Sequence, residues 1–279
     1  MKKILLLTIA LVSIMASAQV LEVASVEKLS IPQNGDSKVA GISPDGSYVL
    51  ITSQTNVGLQ QFDLATSKVI TITNAVGAGY NVEIAADSKE VTYSELTYAA
   101  DKSRMTALVR YNLQTANKST LVKSTRDMHQ ARVRRAIAPT LSIQNGELVI
   151  TIGTVAKILS PNGQGRSYLW PSLSPDGSKV LYHLAGNGTW VCNIDGTNPQ
   201  RIGDFRAPQW YNNNVVIGMN DQDNGHYVTS SSIVAYTLDG ESQVLTSGNI
   251  MAMYPYASAD AKKIVCSTPT GEAYLINIK

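Results

Sequence analysis

Residues 170–177 read WPSLSPDG and residues 41–46 read GISPDG, so the tetrapeptide Ser-Pro-Asp-Gly occurs twice, 131 residues apart. A run of β-branched and aromatic residues follows it both times. Proline presets φ for the first position of a tight turn, while aspartate and glycine favour the left-handed backbone that reverses a strand. The tetrapeptide therefore predicts a hairpin turn that belongs to a repeated β unit.

Similar turns recur along the whole chain. Six of them are centred on Asp45, Asp87, Asn145, Asp176, Asn213 and Asp260. Their mean spacing is 43 residues, which is the period of a four-stranded propeller blade. The strand-like runs that follow the turns are YVLITS, EVTYSEL, ELVITIG, KVLYHL, NVVIGM and KIVCST. Each unit is interpreted as strand a, turn, strand b, loop, strand c, second turn and strand d, and the third unit is compressed.

The two ends of the chain indicate how the ring closes. The last unit ends at Lys279 after its third strand, whereas residues 20–31 (VLEVASVEKLSI) form a spare strand before the first unit. We expect this segment to supply the outer strand of the last blade and so protect a sheet edge. The predicted fold is all-β, a six-bladed β-propeller with four-stranded antiparallel blades. A β-sandwich is the alternative, but it would not explain six similar turns.

The first residues have the pattern of a secretory signal peptide. Lys2 and Lys3 precede an apolar run at 4–15, and Ala-Ser-Ala-Gln follows. The apolar run is too short for a stable membrane span. We expect cleavage after Ala18 and a single propeller domain over residues 19–279 that is periplasmic or secreted.

Charge excludes a general attraction to nucleic acid. Without Lys2 and Lys3 the chain has 21 basic and 21 acidic residues. Residues 101–135 nevertheless hold nine Lys or Arg and only two Asp. The stretch RDMHQARVRR at 126–135 is interpreted either as a solvated charge run or as a basic lip that attracts an acidic peptide or an anionic glycan. No nucleic-acid partner, membrane span or cofactor is expected, and we expect a monomer.

The phrase WPSLSPDGSKVLYH, followed by WVCNIDGTNPQRI, resembles the WD40-like (PD40) repeat of the TolB family. The same repeat occurs in the propellers of dipeptidyl peptidase-type enzymes. The resemblance covers essentially the whole chain after residue 18, and it implies six blades. TolB carries an additional α/β domain and the peptidases carry a hydrolase domain, and we expect neither here. The chain also contains no GxSxG motif for serine hydrolysis.

Propeller geometry predicts which residues share a face. The a-to-b and c-to-d turns lie on one rim, here called the turn rim, so Ser-Pro-Asp-Gly is interpreted as structural. The b-to-c and d-to-a loops form the opposite rim, here called the loop rim. We expect ligand-binding side chains there, because aromatic walls with a few polar groups make ligand sites. They are His129, Arg132, Arg134, Arg135, Trp170, His183, Arg206, His226 and Tyr254, with Tyr80 nearby.

These residues predict a non-catalytic binding module for a protein or peptide partner. The alternative is a metal-dependent lyase or hydrolase acting on an anionic oligosaccharide, because imidazole groups bind zinc or manganese and propeller-fold pectin-type lyases use a comparable histidine cluster. No metal-binding motif such as HExxH supports it.

A calcium site in NDQDNGHY, residues 220–227, is a weaker interpretation that rests on Asp221 and Asp223. An EF-hand loop needs glycine at its sixth position and glutamate at its twelfth. Counted from Asp221, those positions hold His226 and Ser232. A polar hairpin loop is therefore the expected structure of this stretch.

The two cysteines are predicted to remain unpaired. Cys192 falls in strand c of the fourth unit and Cys266 in strand b of the sixth, so the fifth blade would separate them. A disulfide needs Cα atoms within about 7 Å of each other. We expect two buried free thiols.

Overall fold

The computed structural model of the chain describes residues 19–31, 36–126 and 139–279. In these ranges every helix or strand assigned is a β-strand, and antiparallel pairing groups the strands into six sheets. No helix in the described ranges is long and apolar enough to cross a membrane. The sheets follow one another along the chain in the order that the repeat predicts.

The first three sheets are preceded by one separate strand, β1 (Val23–Lys28). Blade one consists of β2 (Ser37–Ile42), β3 (Tyr48–Ser53), β4 (Val57–Asp63) and β5 (Val69–Val76). Blade two consists of β6 (Glu83–Ile84), β7 (Glu90–Tyr98), β8 (Arg104–Asn112) and β9 (Lys118–Thr125). Blade three consists of β10 (Thr140–Gln144), β11 (Glu147–Ile152) and β12 (Val155–Ile158).

The last three sheets repeat the same strand order. Blade four consists of β13 (Tyr168–Leu173), β14 (Lys179–Leu184), β15 (Gly188–Asn193) and β16 (Gln200–Gly203). Blade five consists of β17 (Arg206–Trp210), β18 (Val215–Asp223), β19 (Val228–Thr237) and β20 (Ser242–Val244). Blade six begins with β21 (Met253–Ala257), β22 (Lys263–Ser267) and β23 (Ala273–Ile278).

The six sheets are arranged radially around their first strands. The inner strand β2 contacts both β6 and β21, and β13 contacts both β10 and β17, which in turn contacts β21. The cores lie between neighbouring sheets. Leu181 and Val191 of blade four, for example, pack with Val216 and Val234 of blade five. The structure therefore confirms the predicted six-bladed β-propeller.

The N-terminal strand closes the ring, as the sequence predicts. Strand β1 pairs antiparallel with β23 and becomes the outer strand of blade six, with Val26 opposite Ile276. Beyond this ladder, the backbone N–H of Lys279 donates to the carbonyl oxygen of Glu22 at 2.9 Å. The edge that β23 would otherwise expose is thereby covered.

Blade three departs from the four-stranded pattern. Its described residues form three strands, and the segment after β12 forms turns instead of a fourth strand. The backbone N–H of Gly163 donates to the carbonyl of Ser160, and the N–H of Gly165 donates to the Glu147 carboxylate at 2.8 Å. Glycine-rich turn chemistry thus replaces strand d in the compressed unit.

The Ser-Pro-Asp-Gly turns are held mainly by their serine and aspartate. The hydroxyl of Ser174 donates to the carboxylate of Asp176 at 2.6 Å and accepts the N–H of Lys179 at 2.9 Å. Hydrogen bonds from Ser174 and Ser178 hold the pKa of Asp176 below its usual range. Ser43 likewise accepts the N–H of Tyr48. These turns sit on the turn rim and have the structural role that was expected.

The two cysteines are buried and free. Cys192 lies in β15 and Cys266 in β22, with blade five between their sheets. Burial raises the pKa of each thiol to about 12. The prediction of two buried free thiols is confirmed.

Candidate functional site

The exposed aromatic side chains of the described chain all lie on the loop rim or on the inner-strand ends next to it. Tyr80 lies between β5 and β6, Tyr98 ends β7, and Tyr227 lies between β18 and β19. Trp170 and Tyr254 lie near the beginning of the inner strands of blades four and six. Tyr98 and Tyr227 are the most exposed, at 67% each. The loop rim therefore has the composition of a recognition surface, because aromatic side chains are enriched where proteins bind partners.

Two of these aromatics are placed by irregular backbone. Trp170 has φ of 48° and Tyr254 has φ of 52°, and each lies within a β-bulge of its inner strand. Ala207 occupies the same kind of bulge in blade five, with φ of 47°. Left-handed backbone costs a non-glycine residue about 1–3 kcal/mol and is concentrated at functional sites, while bulges re-aim side chains. The bulges thus position aromatic rings beside the centre of the propeller.

The structure brings Trp170 and His183 together. Their ring centroids lie 5.5 Å apart with an edge-to-face angle of 64°. His183 is buried, and its Nδ1 lies 2.9 Å from the carbonyl oxygen of Phe205. A carbonyl can only accept, so Nδ1 carries the proton. Thr189 donates to the same oxygen at 2.6 Å.

His183 is accordingly an interior residue that joins blade four to the start of blade five. This differs from the expectation of a side chain open to a ligand, because the ring enters the blade interior instead of the rim surface. Burial lowers the pKa of His183, so the neutral ring is favoured. Trp170 remains exposed beside it and is still available to a ligand.

Arg206 is committed to two carboxylates of its own blade. Its Nε donates to Oδ1 of Asp221 at 2.8 Å, and its Nη2 donates to Oδ2 of Asp221 and to Asp223 at 3.3 Å. The Asp221 side chain is only 1% exposed. This ion pair ties the inner strand β17 to the hairpin formed by β18 and β19, here called the blade-five hairpin. The calcium interpretation is therefore wrong for Asp221, whose carboxylate is buried against Arg206.

Of the remaining predicted residues, His226 is described and four others are not. His226 is exposed at the tip of the blade-five hairpin, where its backbone N–H donates to the side-chain oxygen of Asn224. His129, Arg132, Arg134 and Arg135 lie outside the described residues. Within the described ranges, no three side chains of His, Cys, Asp or Glu are grouped as metal ligands would be.

A groove with two adjoining cavities runs along the loop rim between the blade-five hairpin and blade six, and its inner cavity extends to Lys38 and Gln54 of blade one. The inner cavity, of about 460 Å³, includes Lys38, Met253 and Tyr254. The outer cavity, of about 580 Å³, includes Ile250, Met251 and Tyr274. The side chains that line both cavities are Tyr227, Val228, Thr268 and Pro269. We call the two cavities together the five–six groove.

The five–six groove combines apolar and polar side chains. Tyrosine, valine, isoleucine, methionine and proline make about half of its lining residues, and the others are polar or charged, among them Lys38, Gln54 and Glu272. Methionine is flexible and polarizable and adapts to varied partners. Of the predicted residues that the structure describes, Tyr254 alone lines this groove. Sequence reasoning did not select Tyr227, although an exposed aromatic at the tip of a long loop was a usable signal.

Comparison with known proteins identifies relatives by structure only. No protein-family model matches the sequence, and no curated protein matches it. The fold matches a TolB-type protein from Agrobacterium tumefaciens with a TM-score of 0.55 and 14% identity, over 91% of this chain and 96% of that one. It also matches an oligogalacturonate lyase solved with manganese, with a TM-score of 0.50 and 13% identity, over 85% of this chain and 76% of that one. At these identities the likeness shows a shared propeller fold, which TolB-type proteins and a lyase both use.

Proposed function

We propose that the chain is an exported, non-catalytic, TolB-like propeller that binds a protein or peptide partner at its loop rim. The observation that carries the proposal is the position of Tyr80, Tyr98, Trp170, Tyr227 and Tyr254, all on one rim. Aromatic anchors in desolvated pockets supply most of the binding energy in protein interfaces. The five–six groove offers such pockets beside two of these rings.

The hydrogen bonds of the turn rim also support the loop rim as the binding face. Aspartates and serines of the turn rim bond to their own turns, as Asp45 does to the N–H and hydroxyl of Ser47. Turns also bond to the neighbouring blade, since the N–H of Asp176 donates to Asn213 at 3.1 Å. Polar groups that are already paired within the fold have less to offer a partner.

A peptide selection tests the proposal. Purified residues 19–279 are immobilised and screened with a phage library of linear 12-residue peptides, and selected peptides are synthesised with a fluorophore for anisotropy. We expect enriched sequences whose affinity falls about tenfold or more in Tyr227→Ala/Tyr254→Ala, because each truncation removes an aromatic anchor. The matched control is Val244→Ala, which truncates an exposed apolar side chain on the outer strand of blade five.

Two results would overturn the binding role. One is a selection that enriches no sequence over bare support. The other is equal loss of affinity in Val244→Ala and in the double tyrosine variant, which would show non-specific adsorption instead of recognition at the loop rim.

The enzyme alternative has its own measurement. Elemental analysis of the purified protein would reveal stoichiometric zinc or manganese, and ultraviolet absorbance would follow cleavage of an oligogalacturonide. Metal and turnover that are both lost in His183→Ala/His226→Ala would favour the enzyme over the binding module. We expect neither signal.

The export assignment is tested at the N-terminus. We propose that residues 1–18 are a signal peptide and that 19–279 are a single propeller domain in the periplasm or outside the cell. Mass spectrometry of the protein produced with its full sequence in a bacterial host should find a chain that begins at Gln19 in the periplasmic or extracellular fraction. A cytoplasmic chain that retains Lys2 and Lys3 would contradict it.

A further inference from the structure

A lysine that has no counter-ion among the described residues lies at the inner end of the five–six groove. Lys38 is the second residue of the inner strand β2, where it pairs with Thr52. Its ammonium donates to the carbonyl oxygen of Gln54 at 3.1 Å. Burial lowers the pKa of Lys38, and no ion pair is found between it and a carboxylate of the described residues.

Two other cations of the described residues near the groove have partners. Arg206 binds Asp221 and Asp223 beneath the blade-five hairpin. Lys28 forms an ion pair with Glu272, which lines the outer cavity. The negative charge at the outer end is therefore matched within the chain, whereas the positive charge at the inner end is not matched within the described ranges.

The positive charge of Lys38 at the inner end determines which ligand groups the inner cavity favours. An ammonium that is partly withdrawn from water and has no counter-ion is costly, and its neighbours in the cavity are mainly apolar. Met253, Tyr254, Tyr227 and Val228 line the same cavity. A carboxylate that entered this cavity would form a charge-assisted hydrogen bond with Lys38, which is stronger than a neutral one. The ligand would carry apolar groups beside the carboxylate.

The shape and polar groups of the groove favour a peptide chain. The two cavities are continuous along Tyr227, Val228, Thr268 and Pro269, so an extended segment can occupy both. An amide group at Asn249 and a hydroxyl group at Thr270 are exposed on the walls of the outer cavity. Such groups can pair with the backbone of a peptide, which the hydrocarbon chain of a fatty acid does not offer.

We propose that the five–six groove binds an extended peptide segment with apolar side chains, and that a carboxylate of this segment pairs with the ammonium of Lys38. The proposal rests on the proposed function and specifies the ligand chemistry of that site. The carboxylate can be the C-terminus of the partner or the side chain of an aspartate or glutamate. Its position is fixed in the inner cavity, with the apolar side chains extending towards Ile250 and Met251.

Variants of protein and peptide test the pairing together. Peptides from the selection are made in three forms: unchanged, with an amidated C-terminus, and with each Asp or Glu replaced by Asn or Gln. Each form is titrated against the unmodified protein, Lys38→Met, Lys38→Arg and the control Lys68→Met, which removes an exposed lysine from the turn rim of the same blade. Thermal unfolding of every variant shows whether it is folded.

We expect Lys38→Met to weaken the unchanged peptide about tenfold or more, since a hydrogen bond to a charged group is lost. Lys38→Arg should restore most of the affinity, and Lys68→Met should change little. The peptide form that lacks the essential carboxylate should bind the unmodified protein weakly and should be insensitive to Lys38→Met. Loss on amidation identifies the C-terminus as the source, and loss on Asp or Glu replacement identifies a side chain.

The outcomes separate this inference from the proposed function. Peptides that depend on Tyr227 and Tyr254 but bind Lys38→Met equally well would overturn only the role of Lys38. Affinity that survives removal of every carboxylate would do the same. A library that yields no peptide overturns both proposals. Binding of dodecanoate without any peptide binding would assign the groove to a fatty acid instead.

Discussion

The side-chain oxygen Oε1 of Gln243 accepts the backbone N–H of Leu21 at 2.8 Å, across 222 positions of sequence. The N–H of Val20 donates to the same oxygen at 2.8 Å, and Nε2 of Gln243 donates back to the carbonyl of Leu21 at 3.0 Å. Gln243 lies in β20, the outer strand of blade five. Val20 and Leu21 are thus fixed to blade five, and the strand β1 that follows them completes blade six.

Replacing Gln243 should therefore weaken ring closure. In Gln243→Ala the N–H groups of Val20 and Leu21 lose their acceptor, and we expect the free energy of unfolding to fall by about 1–3 kcal/mol. Urea denaturation followed by circular dichroism measures the change. Gln200→Ala is the control, because Gln200 makes a single exposed hydrogen bond to Leu238. Equal losses in the two variants would argue against a special role for Gln243.

Packing between blades four and five should depend on Gly218. A Cβ at this position in β18 would overlap the ring of Phe205 and would lie 2.9 Å from the carbonyl oxygen of Arg206. Phe205 is also stacked on Tyr236, so it has little freedom to move. We expect Gly218→Ala to reduce the free energy of unfolding by about 1–3 kcal/mol, as overpacked cores do.

Gly41→Ala provides the matched control for Gly218→Ala. Gly41 also lies in a strand, but a Cβ there would be at an ordinary contact distance, 3.6 Å from Ile84. We expect a change of about 1 kcal/mol or less, since alanine restricts the unfolded chain without a clash. A smaller loss in Gly218→Ala than in Gly41→Ala would show that Phe205 can be displaced easily.

Stability should decrease in mild acid because of His183. Burial lowers the pKa of this ring, and the nearby guanidinium of Arg206 acts in the same direction, while the Phe205 carbonyl and Asp204 oppose it. The unfolded state therefore binds a proton near pH 6.5, where the folded state resists it. The contribution of His183 is complete above that pH and declines as the pH falls below it.

Urea denaturation at a series of pH values from 8 to 5 tests the sign of this effect. We expect His183→Gln to be less stable at pH 8, because the contacts with Phe205 and Thr189 change, but to lose less stability between pH 7 and 5 than the unmodified protein. The control variant is His226→Asn, which removes an exposed histidine. An identical slope in the unmodified protein and His183→Gln would contradict the assignment.

The two thiols should be unreactive in the folded protein. Cys192 and Cys266 are buried, and burial raises the pKa of each to about 12, so little thiolate is present at neutral pH. Ellman's reagent should detect no rapid thiol in native buffer and both thiols in guanidinium chloride. Rapid reaction of one cysteine in native buffer would indicate that its blade opens.

Local chemistry made much of the fold predictable. The runs YVLITS and KVLYHL coincide with β3 and β14, because a tight turn before each run fixes where the strand begins. Ring closure was also predictable. The last unit has only three strands, and the spare N-terminal strand can supply the fourth. In the compressed third unit the turns after β12 were not foreseen, because short glycine-rich segments have weak strand preference.

The site was less predictable because it depends on contacts between blades. The sequence indicated the loop rim, but it could not show that His183 turns inward to Phe205 or that Arg206 is neutralised by Asp221. Both facts require the register of neighbouring strands. Lys38 has no distinguishing sequence signal either, since its position in a cavity with Tyr227 and Tyr254 depends on how blades one, five and six pack together.

The pairing of β1 with β23 also determines where the ends of the described chain lie. Strand β23 runs from the loop rim to the turn rim, so Lys279 and its hydrogen-bonded neighbour Glu22 are both at the turn rim. Any tether, fusion partner or solid support attached to either residue would leave from that side. The loop rim, with its exposed aromatic side chains, would then face away from the attachment point and towards the solution.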